Sequence, residues 1–395
     1  MTQSATERES LVRGNTGLQL GLVTTGTLTF ATGQYAISPL LPSIIDSLGV
    51  SEFAVGIALS LMFGVTALVR YPSGQLSDDL SRKTVLVAGL VVSTVGFVLL
   101  TFVEGYGMFV FGVTCVGIGV GLYSTSAIAW LSDLFVEKRG QAMGVNNGSV
   151  YLAGILGALF ANAALFVGAW RTAFLPIVLA LVVLLPAVHL WNGEPYSIER
   201  PKFDNRGTAV RLFRLKRVRW MIIVAALFGM AWQGVITFLP TFLQAEKALT
   251  PAFANNLFAL LFVIGIGSNL LAGRFADRFP VPLLISGVAL LTAAGLAVVI
   301  LTNIPAVLIA GIIVLGAGLA AIWPALQAYM MTTFPEESKG ADFGAFSAVY
   351  GLIASLGPSI VGFMVGRWNF TVAFGTLVVC LLVSSLLALQ LVRQS

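Results

Sequence analysis

The sequence predicts an all-α membrane protein in which 12 transmembrane helices form two pseudo-symmetric six-helix bundles. Hydrophobic residues make up 57% of the 395 positions and charged residues only 10%, whereas a soluble domain carries about 25% charged residues. Long apolar stretches recur, each long enough to cross a bilayer of about 30 Å as a helix. A five-residue pattern also occurs twice, 199 positions apart, at residues 74–78 and 273–277. A repeat at half the chain length indicates two similar half-molecules.

The apolar stretches define the predicted helices in order. They are much longer than the alternating segments of about ten residues that build a membrane β-barrel, so we interpret them as helices. The predicted spans are residues 18–43, 52–76, 83–103, 107–134, 140–167, 170–192, 219–244, 251–276, 281–301, 305–333, 341–366 and 369–391. The predicted units are an N-terminal tail (1–17), an N-terminal bundle (18–192), a central loop (193–218) and a C-terminal bundle (219–392).

Basic residues between the spans predict the orientation in the membrane. The central loop and the loops on its side carry most of them: Arg200, Lys202, Arg206, Arg211, Arg214, Lys216, Arg217, Arg82, Lys83, Lys138, Arg139, Arg278 and Lys339. The opposite side carries Arg171, Lys247 and Arg367. By the positive-inside rule, both termini and the central loop are cytoplasmic and the protein lies in the plasma membrane. The central loop is either a basic linker on anionic lipid or partly an amphipathic helix around Val210–Leu215.

Composition argues against several classes of function. The formal net charge of +5 comes from loop residues that set topology, so we predict no nucleic-acid partner. Cys115 and Cys380 lie apart in apolar segments and His189 is the only histidine. We therefore predict no disulfide framework, no metal site and no cofactor. The polar tail before Leu18 is unlike a cleaved signal peptide, and the chain has no Gly-x-x-x-x-Gly-Lys-Ser loop for nucleotide binding.

The internal repeat extends well beyond the opening pattern. Ser51 before the second span matches Thr250 before the eighth, again at an offset of 199. Three glycines of the fourth span match three of the tenth at the same offset: Gly112 with Gly311, Gly117 with Gly316 and Gly119 with Gly318. An even number of spans per half returns the chain to the same side. The halves are therefore parallel repeats related by an axis along the membrane normal.

The repeated loop resembles a motif of the major facilitator superfamily, and the resemblance covers nearly the whole chain. That family's loop between its second and third helices reads Gly-x-x-x-Asp-Arg-x-Gly-Arg-Arg, and residues 74–83 here read Gly-Gln-Leu-Ser-Asp-Asp-Leu-Ser-Arg-Lys. Asp79 and Ser81 depart from the pattern. A second family motif, an acidic residue followed by Arg-Gly-x-x-x-Gly, matches residues 133–144. The resemblance implies that family's two-bundle fold and alternating access.

In that family the loop cluster latches one conformation of the transporter. The resemblance carries this role to Gly74, Asp78, Arg82, Lys83, Asp133, Arg139, Gly273, Asp277 and Arg278. A glycine lets its helix pack closely on a neighbour, and an aspartate at a helix terminus accepts hydrogen bonds and attracts basic groups. The alternative interpretation is that these loop charges are solvated and only set topology.

Arg70 is the one charged residue that lies inside a predicted span and away from its ends. It precedes Gly74 by one helical turn. A charge within a span costs about 2.5–3.5 kcal/mol, so such a residue usually faces a cavity or a partner. Two interpretations stay open. The guanidinium group faces a central cavity and binds an anion, or it snorkels to the cytoplasmic surface.

The sequence Arg70-Tyr71-Pro72, together with residues 142–148, resembles the nitrate/nitrite porter branch of the superfamily. That branch holds a small anion between two arginines, one from the second helix and one from the eighth. The internal offset puts Asn269 at the second position. The resemblance therefore implies an organic or inorganic anion held by Arg70 alone.

Further polar and aromatic residues are candidates for lining the cavity. In the family, the first, fourth, seventh and tenth helices line it. The candidates are Gln34, Tyr35, Tyr123, Asn146, Asn147, Tyr151, Trp232, Gln233, Trp323, Gln327 and Tyr350. Tyrosine and tryptophan also form interfacial belts, and asparagine also joins helices, so each residue has a structural alternative.

These observations predict a secondary active or facilitative transporter of a small solute that works by alternating access. Its expected partners are a small-molecule substrate, the lipid bilayer and protons or a counter-ion, and we expect a monomer. One alternative is a multidrug or metabolite efflux antiporter, although the fourth span lacks the exporters' arginine before Gly117. A membrane sensor without transport is an alternative of another class. An enzyme would need converging catalytic groups, which His189 alone does not supply.

Overall fold

The computed structural model describes residues 9–191, 195–196, 216–276, 278–334 and 339–392. For residues 75, 77–79, 331 and 339–341 the description covers the backbone alone. Within these ranges the chain forms 13 α-helices and one short 3-10 helix, and no described residue lies in a β-strand. The possible amphipathic helix around residues 210–215 lies outside the described residues.

The helices of the first half follow the predicted spans closely. They are α1 (Gly14–Leu48), α2 (Glu52–Asp79), α3 (Arg82–Thr101), α4 (Tyr106–Leu134), α5 (Arg139–Phe166) and α6 (Leu175–Trp191). A 3-10 helix (Trp170–Phe174) precedes α6. Within this half α3 packs on α4 and α6, α2 packs on α4, and α1 packs on α5.

The second half repeats this arrangement. Its helices are α7 (Lys216–Ala245), α8 (Pro251–Ala276), α9 (Val281–Leu301), α10 (Pro305–Thr333), α11 (Lys339–Ala354), α12 (Gly357–Arg367) and α13 (Phe370–Val392). Here α9 packs on α10 and α13, α8 packs on α10, and α7 packs on α11, α12 and α13. Equivalent helices therefore make equivalent contacts in the two bundles.

The eleventh predicted span is broken into α11 and α12. Pro358 follows the break, at the start of α12. Proline has no backbone N–H, and its ring clashes with the carbonyl group four residues earlier. That carbonyl belongs to Ala354, the last residue of α11. The break is thus the physical consequence of the Gly357-Pro358 pair.

Eleven stretches of the described helices are long and apolar enough to cross a membrane, with α11 and α12 forming one of them. The remaining predicted span is α1, whose threonines and glutamines lower its hydropathy. Several of these polar groups are hydrogen-bonded inside the protein. The Gln19 amide donates to the carbonyl oxygen of Trp191 at 2.6 Å, and the Thr32 hydroxyl donates to that of Leu28 at 2.7 Å. Polar side chains of α1 therefore face protein rather than lipid.

Repeated glycines set the close approach of neighbouring helices in both bundles. A Cβ atom added to Gly96 of α3 would lie 2.7 Å from the backbone nitrogen of Val116 in α4. The equivalent Cβ on Gly295 of α9 would lie 2.5 Å from the nitrogen of Leu315 in α10. Only glycine permits such approaches. The sequence repeat therefore encodes the same helix packing twice.

The two bundles meet along three helix junctions: α2 with α11 and α12, α5 with α8, and α1 with α7. We call the end of the molecule that carries residues 80–81, 135–138 and 278–280 the basic end. The opposite end carries residues 49–51, 102–105, 246–250 and 302–304. Each junction runs between these two ends.

Candidate substrate site between the bundles

The α2–α12 junction is closed near the opposite end by direct backbone contact. A Cβ atom added to Gly56 of α2 would lie 2.5 Å from the carbonyl oxygen of Pro358, and one added to Gly362 of α12 would overlap the carbonyl oxygen of Glu52. Two serines bridge the helices beside these contacts. The hydroxyl oxygens of Ser60 and Ser359 are 2.7 Å apart, and the Ser359 N–H donates to Ser60 at 2.9 Å.

The α5–α8 junction is closed near the same end by side-chain amides. The amide nitrogen of Asn255 donates to the Asn162 oxygen at 2.8 Å, and the Asn162 nitrogen donates to Asn256 at 3.1 Å. Asn255 is fully buried. At the third junction, the Ser38 hydroxyl of α1 donates to the carbonyl oxygen of Thr237 in α7 at 2.9 Å. All three junctions are therefore closed toward the opposite end.

Toward the basic end, glycines of α5, α8 and α11 lack close contacts. A Cβ atom added to Gly144 or Gly148 of α5, to Gly267 or Gly273 of α8, or to Gly344 of α11 would meet no described atom within 4 Å. These helices therefore have open space beside them toward the basic end, and we interpret this space as a cavity between the bundles that opens there.

Arg70 lies where the α2–α11 junction begins to open. One turn earlier, Ala67 still contacts Gly351 of α11: a Cβ atom added to Gly351 would lie 3.2 Å from the Ala67 Cβ atom. Arg70 itself is exposed, and its charge acts electrostatically on Tyr35 of α1 and Tyr350 of α11. No hydrogen bond or ion pair joins its guanidinium group to any described residue. The cation is thus positioned between the bundles without an ion pair to any residue that the structure describes.

Aromatic side chains of the second bundle form one wall of this region. The ring centroids of Trp232 in α7 and Trp323 in α10 are 5.7 Å apart, and the Tyr350 ring stacks on Trp323 at 6.2 Å. From the first bundle, Tyr35 packs on Phe262 of α8 with centroids 4.7 Å apart. These contacts bring together three of the residues that the sequence predicted to line the cavity, and they place a fourth, Tyr35, against the second bundle at Phe262.

The position equivalent to Arg70 in the second half holds a neutral bridge between the bundles. The Asn269 amide of α8 donates to the Tyr151 hydroxyl of α5 at 2.9 Å. Tyr151 also packs over Gly265 of α8, where an added Cβ atom would lie 2.6 Å from its ring. The two equivalent junctions therefore differ: one is bridged by a neutral hydrogen bond, and the other presents a cation.

The remaining predicted lining residues fall into two groups. Tyr123 and Asn146 hold the first bundle together: the Tyr123 hydroxyl donates to the carbonyl oxygen of Val23 at 2.9 Å, and Asn146 accepts from Thr27 at 2.9 Å. Of the other four residues, Gln34 and Gln233 are half-buried, and Asn147 and Gln327 are exposed.

Three latch candidates, Gly74, Arg82 and Arg139, contact residues of the first bundle. Nε of Arg82 in α3 lies 3.1 Å from a carboxylate oxygen of Asp133 in α4, and the Arg139 guanidinium donates to the carbonyl oxygen of Ser132 at 2.9 Å. Lys83 is 6% exposed and sits 4.7 Å above the Tyr196 ring. Beyond its own helix, Gly74 faces Thr125 of α4, with an added Cβ atom 3.5 Å away.

The other four latch candidates are Asp78, Gly273, Asp277 and Arg278. The Asp78 side chain and all of Asp277 lie outside the described residues. Gly273 faces open space and Arg278 is exposed.

Sequence reasoning did not identify the amide cluster of Asn162, Asn255 and Asn256. The available signal was the presence of paired asparagines inside an apolar segment, where polar side chains need a partner. Sequence reasoning also did not single out Asp342 of α11, which is only 1% exposed. Among the residues that the structure describes, no three His, Cys, Asp or Glu side chains are grouped so as to hold a metal ion.

Comparison with known proteins identifies the family. The sequence model of the Major Facilitator Superfamily matches residues 23–292 and 243–395. The chain belongs to this superfamily. The predicted family and the predicted helical membrane fold are both confirmed, and the protein is an integral membrane transporter.

Relatives and solved structures agree with this assignment. The MFS-type transporter YwfA of Bacillus subtilis is 25% identical over 86% of this chain and 84% of its own length. The MFS-type transporter YhhS of Escherichia coli is 26% identical over 89% of this chain and 88% of its own.

Among solved structures, a bacterial homologue of the lysosomal transporter Spinster has a TM-score of 0.79 at 16% identity, covering 95% of this chain and 96% of that one. A D-xylose-proton symporter has a TM-score of 0.77 at 17% identity, covering 95% and 97%. These structures share the fold. Members of the superfamily bind small-molecule substrates, and the relatives are transporters rather than enzymes.

Proposed function

We propose that this protein transports a small organic or inorganic anion by alternating access, with the guanidinium group of Arg70 as the substrate anchor. The observation that carries the proposal is the placement of this cation between the bundles with no ion pair to a described residue. A charge at membrane depth is costly unless a partner or a cavity accommodates it. An anionic substrate supplies that partner.

The chemistry of the site favours a carboxylate or a similar oxyanion. A guanidinium group presents planar donors that match two oxygens at once. Tyr35 and Tyr350 lie within electrostatic reach of the same charge, one from each bundle. A hydroxyl from each side supports an anion that contacts both bundles. Binding then favours the state in which the bundles are closer around it.

The distribution of basic residues supports a cytoplasmic basic end, and so a cytoplasmic location of both termini. In this orientation the cavity opens to the cytoplasm. The closed contacts of Gly56, Gly362 and Asn255 lie on the extracellular side. Transport then requires these contacts to open while the cytoplasmic ends of α2, α5, α8 and α11 close. The predicted units 18–192 and 219–392 move as the two rocking bodies.

The loop motif is the proposed latch of the cytoplasm-closed state. Nε of Arg82 already lies 3.1 Å from a carboxylate oxygen of Asp133 within the first bundle. This ion pair ties the start of α3, next to the loop at residues 80–81, to the end of α4. Closure would bring this loop and Arg139 toward Gly273, Asp277 and Arg278 of the second bundle. Asp78 contributes its carboxylate to the same cluster.

The test is binding and transport with matched variants. Purified protein is screened by thermal melting with small carboxylates, nitrate, sugars and lipophilic cations, and reconstituted vesicles are then assayed for uptake or counterflow of the best anion. Arg70→Gln is expected to abolish the anion-dependent stabilisation and the transport. Arg367→Gln, an exposed arginine at the opposite end, is the control and should leave both unchanged.

Two results would overturn the proposal. Undiminished anion transport by Arg70→Gln would remove the anchor role. Stabilisation by lipophilic cations, with no response to anions, would favour efflux of drug-like compounds through the aromatic wall of Trp232 and Trp323.

A further inference from the structure

An apolar groove lies on the outer surface of the second bundle, between α8 and α9 and away from the central cavity. Its volume is about 500 Å³. Leu271 and Phe275 line it from α8 and are 50% and 45% exposed, and Leu283 and Leu291 line it from α9. Phe279, in the loop between these helices, borders the groove toward the basic end. A hydrophobic ligand from the membrane can reach it directly.

Small residues form the floor of the groove and leave space in it. Ala317 and Ala321 of α10 lie beneath it, and a Cβ atom added to Gly287 of α9 would meet nothing within 4 Å. The repeat-equivalent residues of α4, at an offset of 199, are Ile118 and Leu122. The second half thus has alanines where the first half has large side chains, which leaves room for one flexible chain.

Two cations flank the groove at its basic end. Arg274 lies in the last turn of α8 and Arg278 in the following loop, and both are exposed. Neither side chain has a hydrogen bond or ion pair with a described residue. The backbone N–H of Arg278 donates to the carbonyl oxygen of Phe275 at 3.0 Å, which fixes the backbone of Arg278 close to this groove-lining residue. Asp277, between them in sequence, lies outside the described residues.

We propose that this groove binds an anionic phospholipid, with one acyl chain between α8 and α9 and the headgroup phosphate paired with Arg274 and Arg278. The apolar walls suit a hydrocarbon chain, and the free guanidinium groups suit a phosphate diester. Basic residues at the membrane surface attract anionic lipids in the same way. Ser268, next to Asn269 on α8, also lines the groove, so the lipid contacts the helix that carries the α5–α8 bridge.

The experiment measures lipid binding to the full chain by native mass spectrometry. The probes are phosphatidylglycerol and phosphatidylcholine with identical acyl chains. The wild type is expected to prefer phosphatidylglycerol by about thirtyfold, the factor expected from two arginines near an anionic headgroup. Arg274→Gln with Arg278→Gln should remove this preference, mainly by weakening the binding of phosphatidylglycerol.

A second variant tests the groove itself. Gly287→Leu puts a side chain into the groove at a position where an added Cβ atom meets nothing within 4 Å, and it should reduce binding of both lipids. Gly375→Leu on α13, also an open position, is the matched control and should bind both lipids as the wild type does. Equal binding of the two lipids by the wild type, or full phosphatidylglycerol binding by Gly287→Leu, would overturn the proposal. If the wild type is a dimer and Gly287→Leu is a monomer, the groove instead binds a second copy of the chain.

Discussion

At the residue scale, the central difference between the two halves is a single repeat position. Arg70 in α2 corresponds to Asn269 in α8, which is bonded to Tyr151. A neutral amide at membrane depth is satisfied by one hydroxyl partner. A guanidinium group has five donors and no described partner here. The pseudo-symmetric scaffold therefore carries one charged site rather than two.

Removing the neutral bridge should cost stability. Tyr151→Phe deletes the acceptor of the Asn269 hydrogen bond, and we expect a loss of about 0.5–1.5 kcal/mol in unfolding free energy. Thermal melting in detergent of Tyr151→Phe, Asn269→Ala and the double variant measures it. If the two residues act through this bond, the double variant loses less than the sum of the single variants. Strict additivity would show that the 2.9 Å contact contributes nothing.

A second residue-scale feature ties the N-terminal tail to the first bundle. The Glu9 carboxylate accepts hydrogen bonds from the backbone N–H groups of Val136 at 2.7 Å and Lys138 at 2.9 Å, and the Lys138 ammonium donates to the Glu9 carbonyl oxygen at 2.7 Å. The N–H of Lys138, then that of Val136, holds the pKa of Glu9 below its usual value of 4.5. The ionised carboxylate is the form that docks.

Tail docking should therefore depend on pH. Because the pKa is depressed in the folded protein, the stabilisation is fully present above the ordinary value of 4.5 and is lost as the pH falls through the folded value. Hydrogen exchange at residues 136–138 is expected to be slow at pH 7 and faster at low pH, after correction for intrinsic rates. Glu9→Gln should show fast exchange at both. Equal protection in wild type and variant at pH 7 would contradict the docking role.

At the element scale, the α11–α12 break places a short helix against α2. Pro358 and Gly362 of α12 both meet α2 through backbone atoms, at Gly56 and Glu52. Such contact leaves no room for a side chain. The junction can therefore close tightly by van der Waals contact between backbones and open without breaking an ion pair.

Gly362→Ala tests this junction. The added methyl group overlaps the carbonyl oxygen of Glu52, so the helices must separate, and overpacking of this kind costs about 1–3 kcal/mol. We expect a lower melting temperature and faster labelling of a cysteine placed at Ser359. The control is Gly366→Ala, one turn along the same helix, where an added Cβ atom meets nothing within 4 Å. It should have the melting temperature and the labelling rate of the parent protein. Similar behaviour of both variants would show that this contact does not seal the junction.

The sequence predicted the helices and the repeat because apolar length and glycine spacing are local properties. Ser51 and Thr250 illustrate this, since each accepts from the backbone N–H three residues on, at 3.2 and 3.4 Å. The pairing of Asn162 with Asn255 depends instead on which helices meet across the two bundles. No local pattern carries that information, and the same holds for the inward placement of Tyr123. The broken span was predictable in principle from Gly357-Pro358.

At the scale of the whole molecule, the α2–α12 and α5–α8 junctions are closed at equivalent positions near the opposite end, but by different chemistry. Gly56 corresponds to Asn255 at the 199 offset, and Gly362 to Asn162 after the one inserted residue. The α2–α12 junction is closed by backbone contact, and the α5–α8 junction is closed by amide hydrogen bonds. Toward the basic end, glycines of α5, α8 and α11 have open space beside them instead of contacts across the junctions. This asymmetry between the ends is what an alternating-access carrier needs in one of its two states.

The central claim is that an anion held by Arg70 drives the bundles from one state to the other. The direct measurement is the distance between spin labels on α5 and α8, with one pair at Gly144 and Gly273 and a second pair at Asn162 and Asn256. Cys115 and Cys380 are first replaced by alanine. With the anion present, the first distance should shorten and the second should lengthen, and Arg70→Gln should abolish both changes. Unchanged distances despite anion binding, or the same changes in Arg70→Gln, would contradict the account.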